Sequence, residues 1–91
     1  MIMIRQELDV INRLGLHARA AAKLVTCALE YESSVQLERE GQRVNGKSIM
    51  GVMMLAAAFG TRVWIEVEGE DEEAAFTALS QLFANRFDED E

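Results

Sequence analysis

The sequence predicts an α/β protein of the α+β type, a two-layer open-faced sandwich with three helices on one face of a four-stranded antiparallel sheet. Four short segments alternate apolar and polar residues, which is typical of strands with one covered and one solvated face. Three segments with apolar residues at helical spacing lie between and after them, in the order βαββαβα. A chain of 91 residues suffices for one modest core, so we expect a single domain over residues 1–91.

The first strand is predicted over residues 2–10, because Ile4, Leu8 and Val10 fall on one side and charged residues on the other. A loop over residues 12–15 leads into a first helix over residues 18–31. The apolar stripe of that helix consists of Ala21, Leu24, Val25 and Ala28.

The middle of the chain predicts a hairpin followed by a second helix. Strands over residues 35–39 and 43–45 flank a turn at residues 40–42. Ser48 is suited to cap the second helix, and Gly60 is suited to end it. The predicted apolar face of this helix consists of Ile49, Val52, Met53 and Ala56.

The clearest strand covers residues 61–68, where Val63, Ile65 and Val67 alternate with polar residues and Trp64. Acidic residues at 70–73 favour the start of a third helix. Its apolar stripe consists of Ala75, Leu79, Leu82 and Phe83. The acidic tail over residues 88–91 is expected to be solvated.

Composition narrows the class of function. A net charge of −7 leaves no basic stripe for nucleic-acid phosphates. The only cysteine, Cys27, allows neither an intramolecular disulfide nor a thiolate zinc cluster, and we expect it to be a small buried hydrophobe. No metal site or cofactor is predicted. The apolar residues 1–4 are too few for a signal peptide and no apolar run could span a bilayer, so we expect a cytoplasmic protein without membrane insertion. We also expect a monomer.

The only histidine, His17, falls where a glycine-containing loop meets the first helix. The backbone N–H groups and the dipole at a helix start attract anions, and Arg19 offers a planar fork of donors. An imidazole in this position could therefore accept a phosphoryl group. A lone histidine at a helix start is more often a cap or a solvated residue, and the residues alone leave both interpretations open.

Two motifs resemble a known family. Residues 15–25, GLHARAAAKLV, resemble the active-site signature of the HPr family, the histidine phosphocarriers of the bacterial phosphotransferase system. Residues 44–55, VNGKSIMGVMML, resemble the signature around the family's regulatory serine. The motifs have the family's usual separation, and the resemblance covers essentially the whole chain. Many members have proline where this chain has Ala20, which still favours a helix.

The resemblance implies an open-faced sandwich and a carrier that is not itself an enzyme. His17 would accept a phosphoryl group on Nδ1 from enzyme I and pass it to an enzyme IIA protein, with Arg19 stabilising the phosphate. Ser48, besides capping a helix, would match the serine that an HPr serine kinase phosphorylates in some bacteria. The ending of the chain and residues 12–15 look closer to NPr, the nitrogen-branch carrier, although the KSIM sequence is also common in sugar-branch HPr.

The resemblance also places the docking surface for partners on the second helix and beside His17. Met50 and Met54 lie one turn apart and cannot both be buried with Ile49 and Met53, and exposed methionines suit adaptable binding surfaces. The apolar docking residues are Ile49, Met50 and Met53. The predicted basic rim consists of Arg13, Arg19, Lys23 and Lys47.

Three other functions fit the sequence less well. A regulatory binding module with the HPr fold, acting through Ile49, Met50 and Met53 without phosphotransfer, would be expected to lack the histidine. A ferredoxin-like nucleic-acid binder is disfavoured by the acidic charge and the absence of a strand-borne aromatic pair. A free-standing enzyme is disfavoured because one histidine and one arginine provide neither a substrate pocket nor a second acid–base pair.

Overall fold

The computed structural model describes residues 3–91 and has the predicted architecture, in which three helices cover one face of a four-stranded antiparallel sheet. The strands are β1 (Ile4–Asp9), β2 (Ser34–Arg39), β3 (Gln42–Asn45) and β4 (Arg62–Glu68). The helices are α1 (Ala18–Ala28), α2 (Ile49–Met54) and α3 (Glu72–Ala84), and a 3₁₀ turn follows at Arg86–Asp88. Ile2, which the sequence assigned to the first strand, lies outside the described residues.

The sheet has the strand order β1-β4-β2-β3, so the most regular strand of the sequence, β4, lies inside it. The predicted alternation in β4 is confirmed, since Val63, Ile65 and Val67 are buried. Trp64 lies on the opposite face of the sheet, where the Arg5 guanidinium stacks 4.5 Å from the ring centroid. One sheet face is therefore in the core and the other is open.

The core between sheet and helices is mainly aliphatic. The first helix, α1, buries five residues in this core, and they include the whole predicted stripe: Ala20, Ala21, Leu24, Val25 and Ala28. Cys27 is only half-buried at the edge of this core, so the expectation of a buried thiol is met in part. Burial raises the pKa of the Cys27 thiol, and the neighbouring Glu30 raises it further.

The first helix ends at Ala28, three residues before the predicted Tyr31. Beyond Ala28 the N–H groups of Glu30 and Tyr31 bond to carbonyls three residues back, those of Cys27 and Ala28, at 3.1 and 3.2 Å. The final predicted turn is therefore tightened and no longer α-helical.

The second helix ends at Met54, well before the predicted stop at Gly60. Ala56 adopts a left-handed conformation with φ of 51° and is exposed, so its predicted place on the apolar face of α2 is wrong. Leu55 and Ala57 are buried instead. The carbonyl of Ala57 accepts the N–H of Leu16 at 2.9 Å, which ties this segment to the loop before α1 instead of extending the helix.

The acidic tail is solvated only in part, since Asp88, Asp90 and Glu91 are exposed as predicted, but the tail folds back over the domain and Glu89 is half-buried. Arg86, Phe87 and Asp88 all have φ between 53° and 63°, a left-handed turn that reverses the chain after α3. Phe87 is fully buried, with its ring centroid 4.9 Å from that of Phe83. The turn directs the last residues toward the start of α1.

Among residues 3–91, no helix combines the length and the apolar character needed to cross a bilayer.

Candidate functional site

Two residues hold the loop before α1 in place, and each would be difficult to replace by another amino acid. Gly15 has φ of 70°, and a Cβ atom there would lie 2.5 Å from the carbonyl oxygen of Ala57, so only glycine fits. Asn12 is fully buried, and its Nδ2 donates to the Gly15 carbonyl at 2.7 Å. These contacts fix the chain immediately before His17.

His17 is the N-cap of α1. Its backbone is extended, with φ of −75° and ψ of −178°, and its Nδ1 accepts the backbone N–H of Arg19 at 3.3 Å. The ordinary capping role considered from the sequence is therefore present. The imidazole is 27% exposed, so it is both anchored and accessible from solvent. Nδ1 faces the end of the helix where free N–H groups and the dipole favour negative charge.

The other ring nitrogen of His17 meets the tail. Nε2 lies against Oε2 of Glu89, whose side chain is only 12% exposed. The other carboxylate oxygen, Oε1, accepts a hydrogen bond from Nδ2 of Asn12 at 3.1 Å. Both amide hydrogens of Asn12 are thus used, on Gly15 and on Glu89.

Glu89 is ionised in this arrangement. Burial favours its protonated form, but the hydrogen bonds from Asn12 and His17 and the positive charge of Arg19 outweigh burial, so the pKa of Glu89 lies below its ordinary value. Sequence reasoning missed this residue, because an acidic run carries no positional information. The one available signal was Phe87, an apolar residue inside an otherwise charged ending.

A cleft of about 430 Å³ between α1 and the tail has basic side chains on one side and the acidic residues 88–91 on the other. Arg19 and Lys23 line it from α1 and Arg13 from the preceding loop. Lys23 Nζ donates to the Phe87 carbonyl at 3.1 Å and approaches the Asp88 carboxylate at 3.4 Å. The structure therefore brings three predicted rim residues to the neighbourhood of His17.

The tail neutralises part of this predicted rim. The Arg13 guanidinium pairs with Glu91 at 2.9 Å, and the backbone N–H of Arg13 donates to the Glu91 carbonyl at 2.9 Å. Arg19 has no side-chain hydrogen bond within residues 3–91, so its guanidinium is free for an anion. The fourth predicted rim residue, Lys47, donates instead to the carbonyl of Tyr31 at 2.8 Å.

Ser48 has the predicted capping role in α2. Its Oγ accepts the N–H of Gly51 at 3.0 Å, and its backbone is extended. The residue is half-exposed, so its hydroxyl lies at the surface while serving the helix.

An apolar surface lies along α2, which packs against α1. Met50 and Met54 are 72% and 63% exposed, as the sequence predicted, and Ile49 and Met53 are partly exposed. Leu14 and Phe59 are exposed as well, and sequence reasoning did not include them. Each stands alone among polar or small neighbours, so no periodic pattern marks it.

Within residues 3–91 there is no cluster of histidine, cysteine and carboxylate side chains that would bind a metal ion. The arrangement offers one nucleophilic imidazole, one unpaired guanidinium and one helix start. These groups suit reversible attachment of an anionic group to the ring, without an enclosed substrate cavity.

Comparisons with known proteins identify relatives of this chain. A family model described as "PTS HPr component phosphorylation site" matches residues 4–85. The phosphocarrier protein HPr of Xylella fastidiosa (strain Temecula1) is 54% identical over 88 residues, covering 97% of this chain and 99% of the relative. The HPr of Cupriavidus necator is 52% identical over 89 residues, covering 98% of this chain and 100% of the relative. The crystal structure of HPr-C-His from Thermoanaerobacter tengcongensis superposes with a TM-score of 0.92 at 39% identity, covering 97% of this chain and 99% of that one.

Proposed function

From the premise that this chain belongs to the HPr family of phosphocarriers of the phosphotransferase system, we propose that His17 is the residue that carries its phosphoryl group. A member of this family is a carrier and not a catalyst, so the chemistry needed is acceptance and release of one group. The observation that carries the assignment to His17 is an accessible imidazole whose Nδ1 faces the start of α1.

A neutral imidazole is a competent nucleophile at cellular pH. A phosphoryl group on Nδ1 would lie at the N-terminus of an 11-residue helix, where dipole and N–H groups favour it. The helix end contributes on the order of 1 kcal/mol to an exposed anion, which biases the site without trapping the group. A carrier needs such a moderate affinity, because it must release what it has accepted.

Arg19 is the proposed phosphate-stabilising side chain. It lies two residues from His17, is exposed, and makes no competing side-chain hydrogen bond within the described part of the chain. Guanidinium groups match the oxygen spacing of phosphate and can engage two oxygens at once.

The experiment is phosphorylation with phosphoenolpyruvate and cognate enzyme I. Wild type should gain one acid-labile phosphate, and His17→Ala should gain none while keeping its circular dichroism spectrum. Labelling that persists in the folded His17→Ala variant would overturn the assignment.

The proposed partners are enzyme I as donor and an enzyme IIA protein as acceptor, both docking on Ile49, Met50 and Met53. This is supported by the exposure of these side chains on a helix that packs against α1.

The prediction of an NPr-like, nitrogen-branch carrier rests on the chain ending and on residues 12–15. Comparing phosphorylation rates with purified enzyme I of both branches tests it, and faster transfer from the sugar-branch enzyme would contradict it.

Ser48 is the proposed regulatory site, with an HPr serine kinase as an additional partner in organisms that have one. Its half-exposed hydroxyl stands at the start of α2, directly before the proposed docking residues Ile49 and Met50. A phosphate there would add negative charge beside an apolar contact surface.

A further inference from the structure

We propose that Glu89 is a positioning residue that holds His17 in the Nε2–H tautomer, so that Nδ1 carries no hydrogen and its lone pair can exchange the hydrogen bond from the Arg19 N–H for a bond to phosphorus. The inference rests on the proposed function, since it concerns His17 as the phosphoryl acceptor. It adds to that function a residue from the far end of the chain, 72 positions away.

Two contacts define the tautomer independently. A backbone N–H can only donate, so Nδ1 of His17 must be the acceptor in its contact with Arg19. An ionised carboxylate can only accept, so Nε2 must be the donor in its contact with Glu89. Only the neutral ring with its hydrogen on Nε2 satisfies both partners, because the other tautomer and the imidazolium would each place a hydrogen on Nδ1 against the N–H of Arg19.

The carboxylate is itself held in place. Asn12 is fully buried, and its two amide hydrogens point at the Gly15 carbonyl and at Oε1 of Glu89, at 2.7 and 3.1 Å. The Oδ1 atom of Asn12 has no partner within the described residues, so the amide is turned to serve these two oxygens. Burial of Phe87 and the left-handed turn fix the backbone two residues before Glu89.

This geometry fits the course of the transfer. The Nδ1 lone pair forms the bond to phosphorus as the bond from phosphorus to the donor's leaving atom breaks, with its electron pair remaining on the donor. The hydrogen on Nε2 stays in place, so the ring becomes cationic while Glu89 faces it with a negative charge. On release a nucleophilic atom of the acceptor bonds to phosphorus, and the electron pair of the breaking P–N bond returns to Nδ1. A carboxylate paired to the far nitrogen of a reacting histidine has this orienting and charge-stabilising effect in general.

Glu89→Gln is the sharpest test. The amide has one oxygen and one NH₂ group, so it cannot accept from both Asn12 and His17. If its NH₂ group faces His17, Nε2 becomes the acceptor and the ring hydrogen moves to Nδ1. We expect ¹⁵N NMR of the imidazole to show Nε2–H in wild type and an increased Nδ1–H population in Glu89→Gln, with phosphorylation slowed by about tenfold. Asp90→Asn, a change of the exposed neighbour, should leave both quantities unchanged.

Glu89→Ala provides a second variant that removes the acceptor without adding a donor, and it should also slow transfer while circular dichroism is unchanged. An unaltered tautomer population in Glu89→Gln would overturn the proposal, whatever the rate. An altered tautomer with an unaltered rate would overturn the positioning role. The NMR measurement uses the unphosphorylated protein without enzyme I, so it is independent of whether His17 is the acceptor, which the His17→Ala experiment decides.

Discussion

At the scale of single residues, the site is one imidazole with a different partner on each nitrogen. Nδ1 faces the backbone at the start of α1, and Nε2 faces the carboxylate of Glu89. Arg19 stands beside this pair without a side-chain hydrogen bond of its own in the described residues. In the proposed transfer the three side chains would divide the work, because the ring would bond to phosphorus, Glu89 would orient the ring, and Arg19 would meet the phosphate oxygens.

Arg19→Ala should slow phosphoryl transfer at least about tenfold, because it removes a charged donor to the transferred group. The exposed side chain contributes nothing to the core, so the free energy of unfolding should change by no more than about 0.5 kcal/mol. Rapid-quench transfer rates and urea unfolding on the same variant measure both. Leu24→Ala, a truncation of a fully buried residue, gives the reference for structural damage, about 2–5 kcal/mol. A loss of stability in Arg19→Ala as large as that would contradict the assignment.

At the scale of elements, the starts of the helices determine the site more than their lengths do. α1 begins at its histidine cap, α2 at Ser48, and α3 after Asp71, whose carboxylate accepts the N–H groups of Glu32 and Ser33, each at 2.9 Å, and the Ser33 hydroxyl. Two of the three caps are thus proposed modification sites. The third fastens α3 to the turn before β2.

Two variants of Ser48 distinguish its capping role from its proposed regulatory role. Ser48→Ala loses the bond to the Gly51 N–H and should cost about 1 kcal/mol of stability while transfer to His17 proceeds normally. Ser48→Asp keeps an acceptor at the helix start, so its stability should stay within about 1 kcal/mol of wild type, but its charge beside Ile49 and Met50 should slow phosphorylation by enzyme I. Thermal unfolding and transfer rates decide the matter. Slow transfer in a partly unfolded Ser48→Asp protein would leave Ser48 as a cap alone.

The free energy of unfolding of the domain should depend on the ionisation of Asp71 at acidic pH. The hydrogen bond from the Ser33 hydroxyl, then that from the Glu32 N–H, favour the carboxylate and lower the pKa of Asp71. A lowered folded-state pKa stabilises the protein above the unfolded value of about 3.9, and the contribution is lost as the pH falls through the folded value. The free energy of unfolding of Asp71→Asn should therefore fall furthest below that of wild type near neutral pH, and the two values should converge below about pH 4. Urea unfolding across this range measures it, with exposed Glu70→Gln as the control, and a constant difference at all pH values would contradict it.

Hydropathy and capping residues predicted every helix start closely. The end of α2 and the contact between the tail and His17 could be seen only in the folded structure. The end of α2 depends on Ala57, which bonds to the loop before α1 and cannot be recognised from local sequence. The contact of Glu89 with His17 depends on a left-handed turn at three non-glycine residues, a conformation that propensity disfavours and that burial of Phe87 accompanies. His17, Arg19 and Ser48 could be proposed from the sequence because helix starts and the two motifs give local signals, whereas a long-range carboxylate contact gives none.

At the scale of the whole molecule, the two faces of the sheet differ in kind. The helical side carries His17, Ser48 and the exposed methionines of α2. The open side of the sheet carries charged side chains, among them Arg5, Arg43 and Glu66, which pair across strands. Docking is therefore expected on the helical side, and the charged sheet face is expected to remain solvated.

Met50→Glu should weaken binding to enzyme I about tenfold or more, because an apolar contact is replaced by a charge that must lose its water. Gln6→Glu places the same charge on an exposed residue of β1 and should leave the affinity unchanged. Titration calorimetry with both variants compares the two positions directly. Equal affinities for Met50→Glu and wild type would move the docking surface elsewhere.

The stacking of Arg5 on Trp64 has a practical spectroscopic consequence. Trp64 is the only tryptophan of the chain, and it lies on the sheet face opposite the helices. Its fluorescence emission should respond to loss of the sheet on unfolding and stay constant when a partner covers α2. Emission therefore serves as a folding signal that remains valid inside a complex, and quenching by an added protein would reveal contact with the open face of the sheet.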